Sequence, residues 1–194
     1  VFTGDYDPVK WADIVTTTTH KTLRGPRGAM ILCKDWLSDS VNKGCPMVLG
    51  GPLPHIMAAK AIAFKEARSE NYQNWAKNVA DNAQALAEEC QKLGMLVDVT
   101  GYGLTGKQAE AAMFRCGVTL NANALPFDKN GPWWTSGIRV GTPAVTTLGM
   151  TKEDMKEIAS IINLVLQGTK PGLTKEGKPA KGKIEIDAAV EEEG

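Results

Sequence analysis

The chain has 194 residues, 43% of them apolar, enough for one ordinary domain or two small ones with a core. Lysine and arginine balance aspartate and glutamate, 22 against 22, so the basic excess typical of nucleic-acid binders is absent. No apolar run approaches the roughly 20 residues that cross a bilayer, and no signal peptide opens the chain. Val1 stands where a start methionine would, which implies a processed or incomplete chain. Cys33, Cys45, Cys90 and Cys116 are widely spaced and form no C-x-x-C pair. Three of them fall in apolar or amphipathic runs, where cysteine acts as a small hydrophobe. A reducing, cytoplasmic setting without a metal site is expected.

Asp7-Pro-Val-Lys-Trp11 reads as a turn leading to a strand. Ile14-Val-Thr-Thr-Thr-Thr is rich in branched Cβ atoms, which favour a pleated strand over a helix. It gives way at His20-Lys21 to Gly25-Pro26 turn chemistry, and Ala29-Met-Ile-Leu-Cys33 reads as a second, buried strand. Lys21 thus stands at a strand end close to Arg24 and Arg27. Neighbouring cations and partial burial there would favour a neutral, nucleophilic amine.

A short helix is expected from Lys34 to Val41, then a Gly/Pro-rich loop, Gly44-Cys-Pro-Met-Val-Leu-Gly50-Gly51-Pro52. Backbone amides beside Gly50 and Gly51 could approach an anion closely. Pro54 suits a first helical turn, with Ile56, Ala59, Ile62, Ala63 and Ala67 inward. Tyr72, Trp75, Val79, Leu86, Cys90 and Leu93 mark a further helix, read as core contacts, which Gly94 stops. Leu96-Val-Asp-Val99 alternates like a strand. Gly94 leaves almost no connection to it, which points to residues omitted there.

Thr105-x-x-Gln108 is a capping box opening a helix with Ala109, Ala112, Met113 and Cys116 inward. Val118-Thr-Leu120 reads as a strand, Asn121 to Asp128 as a polar loop, and Gly137-Ile-Arg139-Val-Gly141 as an edge strand carrying one charge. Thr151-x-x-Asp154 opens a last amphipathic helix, with Met155, Ile158, Ile162 and Val165 on one side. From Gly168 the Lys/Gly/Pro-rich sequence reads as a solvated extension.

Val-Thr-Thr-Thr-Thr-His-Lys-Thr-Leu-Arg-Gly-Pro-Arg-Gly closely resembles the lysine motif of the serine hydroxymethyltransferases. The likeness continues through Gly50-Gly51-Pro52-Leu-Pro-His55, Leu104-Thr-Gly-Lys-Gln-Ala109, Asn123-Ala-Leu-Pro126 and Thr135-Ser-Gly-Ile-Arg139-Val-Gly-Thr-Pro-Ala144, and it fades beyond the helix after Met150. The resemblance implies an α/β chain: part of a pyridoxal-phosphate-dependent transferase large domain followed by a smaller α+β C-terminal domain. The expected divisions are 1–68 with the bridging helix, 69–168 for the small domain, and a solvated, truncated tail at 169–194.

By the same resemblance, Lys21 carries pyridoxal 5'-phosphate as an aldimine (Schiff base), and serine and glycine are interconverted with transfer of a one-carbon unit to tetrahydrofolate. His20 lies near the cofactor and tunes the reaction path, Thr18 helps position the cofactor complex, and Arg27 supplies local positive charge. The Gly50-Gly51 loop reaches the partner's cofactor phosphate across a homodimer or dimer of dimers. Cys45-Pro46-Met47 and Leu49 depart there from the family's Phe-Pro-Gly and Gln. Arg139 takes the amino-acid carboxylate in two parallel hydrogen bonds, and Asn123 touches the folate ring. The remaining cofactor contacts belong to segments upstream of Val1, so the isolated chain is expected to bind the cofactor poorly and to lack turnover. The competing readings are an inactive fragment or anion-binding module that keeps the fold, and another pyridoxal-phosphate enzyme of the same fold type.

Overall fold

The threonine run forms the first strand of an antiparallel hairpin, because its neighbour has complementary β preference and Gly25 permits a tight return. In a computed structural model that describes residues 7–93 and 98–193, β1 is Ile14–Thr18 and β2 is Ala29–Cys33. The register sets Ile14 opposite Cys33 and Thr18 opposite Ala29. β1 ends before His20, so His20 and Lys21 both lie in the connecting turn and strand alternation does not set their directions. Burial of β2 is not observed: Ile31 and Leu32 are exposed, since the sheet has two strands and no further strand covers it among the described residues.

The chain divides into two compact units, 1–77 and 78–194. In the first, a 3-10 turn over Asp35–Leu37 leads into α1, Ser38–Leu49. The helix runs straight through Gly44 and Pro46, where a loop is expected from composition. It stops only at Gly50, whose φ of 81° ends helical hydrogen bonding. α2, Pro54–Ala67, starts with Pro54 in its first turn. It turns Ala63 inward, but Ile62 lies off that stripe and is exposed.

Helix α3, Glu70–Lys92, spans the division. Tyr72, Ala76, Asn82 and Leu86 lie on its buried side, whereas Leu93 is exposed. The stop at Gly94 and the Leu96–Val97 part of the expected strand lie outside the described residues. Asp98 forms an isolated bridge to Gly137, and Val99 enters a 3-10 turn.

In the second unit, α4 is Gly106–Arg115, and the capping box of Thr105 and Gln108 is formed in both directions. Ala109, Ala112, Met113 and Cys116 are buried as their spacing predicts. β3 is Asn121–Asn123, not Val118–Leu120. Val118 donates its N–H to Met113 at the end of α4, and Val118 and Leu120 pack on the core without joining a ladder. β3 pairs antiparallel with β4, Gly137–Arg139. Two short helices, α5 (Gly131–Trp134) and α6 (Pro143–Thr147), precede and follow β4. α7, Asp154–Gln167, buries Ile162, Val165 and Leu166 against α4 and its neighbours, and Met155 and Ala159 against Leu86 of α3.

The solvated extension expected after Gly168 is folded instead. β5 (Thr169–Leu173) and β6 (Pro179–Ile186) form a hairpin, followed by α8, Ala188–Glu193. Lys183-Ile184-Glu185-Ile186 hides a period-two apolar pattern inside Lys/Gly-rich composition, and Ile184, Ile186 and Val190 pack on the core. Buried Gln108 fastens the hairpin, donating to the carbonyls of Ala180 at 2.8 Å and Lys183 at 2.9 Å. Arg115 forms a two-toothed ion pair with Glu191.

Candidate functional site

Within the first unit, the turn from Thr19 to Gly28 is fastened on several sides. Thr19 is buried, donates its hydroxyl to Pro26 O at 2.7 Å, and pairs through its backbone with Gly25 and Gly28. A Cβ at Gly25 would fall 2.8 Å from Thr19 O and 3.1 Å from Ala63 Cβ, so only glycine allows this approach. His20 Nδ1 lies 3.3 Å from the N–H of Gly28 and 3.2 Å from its carbonyl oxygen; either tautomer fastens the ring to Gly28. Tyr72 donates its hydroxyl to Thr22 O at 3.0 Å, and burial pushes its phenol pKa up against the opposing charge of Arg24. The Arg24 guanidinium lies 4.3 Å from the Trp75 ring centre and 5.3 Å from that of Tyr72. Lys60 of α2 donates to Ala29 O at 2.8 Å where β2 begins.

Lys21 stands apart from these ties. Its side chain is exposed, without the expected partial burial, and it makes no hydrogen bond or ion pair among the described residues. Lys34, by contrast, is held at 2.6 Å by Asp13. Thr18 closes β1 opposite Ala29, and Arg27 is exposed on the same turn. Gly50 and Gly51 lie in an exposed segment where added Cβ atoms would meet nothing within 4 Å, so their backbone is open to solvent.

Within the second unit, Asn123 and Arg139 fall on one two-stranded ladder. Asn121 pairs with Arg139 and Asn123 with Gly137, so cross-strand geometry places Asn121, Asn123 and Arg139 on the same face. Arg139 is exposed and makes no ion pair or side-chain hydrogen bond among the described residues. Asn123 donates its amide to Ala124 O at 2.8 Å, which leaves its side-chain oxygen as an acceptor. Glu110 accepts the N–H of Ala122 at 3.2 Å, and the Lys107 ammonium beside it lowers the Glu110 pKa.

Residues that read in the sequence only as strand, core or polar loop also shape the candidate site of each unit. In the first, Thr19 anchors the Lys21 turn, and Tyr72 and Trp75 brace it through Arg24. Asp128 and Ser136 close the loop joining β3 to β4. The Ser136 hydroxyl and three backbone N–H groups hold the Asp128 carboxyl down at a pKa of about 2. Asp-x-Asn-Gly at 128–131 is the local turn signal that could have marked it.

Residues 4–162 match the sequence model of the family described as serine hydroxymethyltransferase. That family is of pyridoxal-phosphate fold type I, and the mixed helices and small sheets described above are those of an α/β chain of this class. A serine hydroxymethyltransferase of Treponema pallidum (strain Nichols) is 57% identical over 98% of this chain and 35% of its own length. Relatives of the same name from Salinispora tropica and Chlamydia muridarum are 51% and 44% identical, over 42% and 41% of their lengths. The chain belongs to the serine hydroxymethyltransferase family, and it spans well under half the length of these relatives. The Chlamydia alignment runs over 205 positions while taking in the whole 194-residue chain, so that relative carries residues with no counterpart here.

Proposed function

We propose that this chain works as part of a glycine hydroxymethyltransferase, interconverting serine and glycine and passing the hydroxymethyl carbon to tetrahydrofolate. The relatives' name supports the reaction class. The observation that carries it to these residues is Lys21, an unengaged amine on a backbone fastened all around it. An aldehyde cofactor needs a primary amine that no ion pair occupies, so this donor fits pyridoxal 5'-phosphate. When bound, the cofactor ring supplies an electron sink for the pair released at the substrate Cα.

The chain's own side chains take the remaining roles. Lys21 Nζ would hold the cofactor covalently, and Arg27 would supply positive charge beside it; the open backbone at Gly50 and Gly51 would meet the cofactor phosphate of a partner subunit in a homodimer. Thr18 would help position the cofactor, and His20, its ring fastened to Gly28, would stand near it and tune the reaction. Arg139, with no carboxylate among the described residues to satisfy it, binds and orients the amino-acid carboxylate through parallel hydrogen bonds. Asn123 offers its free oxygen to a donor edge of the folate ring.

Incubation of the full-length enzyme that contains this chain with pyridoxal 5'-phosphate, then borohydride reduction and peptide mass spectrometry, tests this reading. The pyridoxyl adduct is expected on Lys21, abolished in Lys21→Ala and kept in Lys34→Ala, whose amine is already ion-paired. An adduct on another lysine, or none, would overturn the assignment and leave an anion-binding module as the better description.

A further inference from the structure

The loop from Asn123 to Gly137 closes on one carboxylate. Asp128 Oδ2 accepts the backbone N–H of Leu125 at 3.1 Å and of Ser136 at 2.7 Å. Oδ1 accepts the backbone N–H of Asn130 at 2.8 Å and the Ser136 hydroxyl at 2.6 Å. Leu125 lies two residues beyond β3 and Ser136 immediately precedes β4. One side chain therefore ties the exit of the first strand to the entry of the second. All of its roughly four acceptor sites are used within the chain, so it acts through the loop and leaves no lone pair for a ligand.

The backbone resists this closure. Phe127 and Thr135, the residues immediately before Asp128 and Ser136, have φ of 58° and 53°, which bulky and β-branched residues rarely adopt. Phe127 is fully exposed, so packing does not impose its conformation, and the buried Thr135 hydroxyl has no hydrogen-bond partner. A Cβ at Gly106 would collide with the Thr135 side chain and the Gly137 carbonyl, so α4 presses on the same short segment. Two strained residues thus flank the two ends of one hydrogen-bond cluster.

We propose that Asp128 is a positioning residue that fixes the spacing between the Asn123 amide and the Arg139 guanidinium, and with it the relative placement of folate and amino acid. The functional half of this assignment rests on the roles proposed above for Asn123 and Arg139; the geometric half does not. An ionised carboxylate is required because an amide of the same shape would turn donors toward donors.

The test compares D128N and S136A with the wild type by residue-resolved amide hydrogen exchange in the purified chain. In the full-length, cofactor-loaded enzyme that contains this chain, the Michaelis constants for serine and tetrahydrofolate are measured alongside kcat. D128N is expected to speed exchange about tenfold or more at Leu125, Asn130, Ser136 and the β3–β4 residues, leaving α7 unchanged. Both Michaelis constants should rise several-fold with a smaller fall in kcat, and S136A, which keeps the three backbone bonds, should shift each readout less in the same direction. Should D128N fail to fold, exchange in S136A decides. Unchanged protection at Ser136, loss of protection throughout α7, or a rise in only one Michaelis constant would each overturn the proposal. A full-length, cofactor-loaded wild-type enzyme that uses neither substrate would instead sink the proposed function, and the exchange data would then decide the role of Asp128 alone.

Discussion

The two units hold their functional side chains in different ways. Around the β3–β4 ladder, Val99, Leu104, Met113, Ile162, Val165 and Leu166 are all but sealed from solvent. In the unit carrying Lys21, the described residues that are buried are Thr19, Ala63, Tyr72 and Ala76, while Trp36, Met47 and Val48 stand exposed. Packing therefore seats the strand that carries Arg139 through buried Ile138, whereas in the first unit short polar ties and a guanidinium over two rings hold the turn that carries Lys21. A packed core spreads its stabilisation over many contacts, and a tied turn concentrates it in a few bonds of about 1 kcal/mol each.

The contrast is broken most directly by truncating one apolar residue in each unit. Met113→Ala should cost about 2–5 kcal/mol, because a fully buried side chain leaves both lost transfer energy and a cavity. Ile31→Ala, on the exposed face of the hairpin, should cost under about 1 kcal/mol. Chemical denaturation of the two variants measures the difference. Equal losses would mean that β2 is covered in solution.

A smaller effect sharpens the other side. Tyr72→Phe keeps the ring beneath Arg24 but removes the bond to Thr22 O, at a cost of about 1 kcal/mol. The loss should appear first as faster amide exchange across 19–28, with the second unit's exchange unchanged. If both units respond alike, the tie is not local.

What the sequence could show follows the same division. The capping box at Thr105 and Gln108, the inward faces of α4 and α7, and both strands of the Lys21 hairpin were legible because local chemistry and period agree with the final structure. The run through Gly44 and Pro46 was not, since turn-forming composition there is overridden until Gly50 takes a positive φ. β3 was misplaced by three residues because apolar content drew attention to Val118 and Leu120, while the ladder itself depends on pairing with β4. Asp128 is legible only as a turn residue for a related reason: Leu125 and Asn130 are local partners, but the other two bonds come from Ser136, eight positions on.

The smallest expected effect is confined to that loop and depends on pH. The Asp128 carboxyl is lowered from 3.8 to about 2, chiefly by the Ser136 hydroxyl and then by the N–H groups of Leu125, Asn130 and Ser136, with desolvation opposing them. With the folded value below the unfolded one, its contribution to loop closure is complete only well above 3.8, at about pH 5 and higher. It declines as pH falls from 3.8 toward about 2, where the folded carboxyl itself takes up a proton. The ties described at the Lys21 turn use hydroxyls, an imidazole, an ammonium and backbone groups but no carboxylate. Amide shifts followed from pH 5 to 2 should therefore move at Ser136 with a midpoint near 2, and in S136A with a midpoint nearer 3.8. A Ser136 midpoint already near 3.8 in the wild type would show that the four bonds do not form together, and the contrast between a tied carboxylate and a tied turn would lose its electrostatic part.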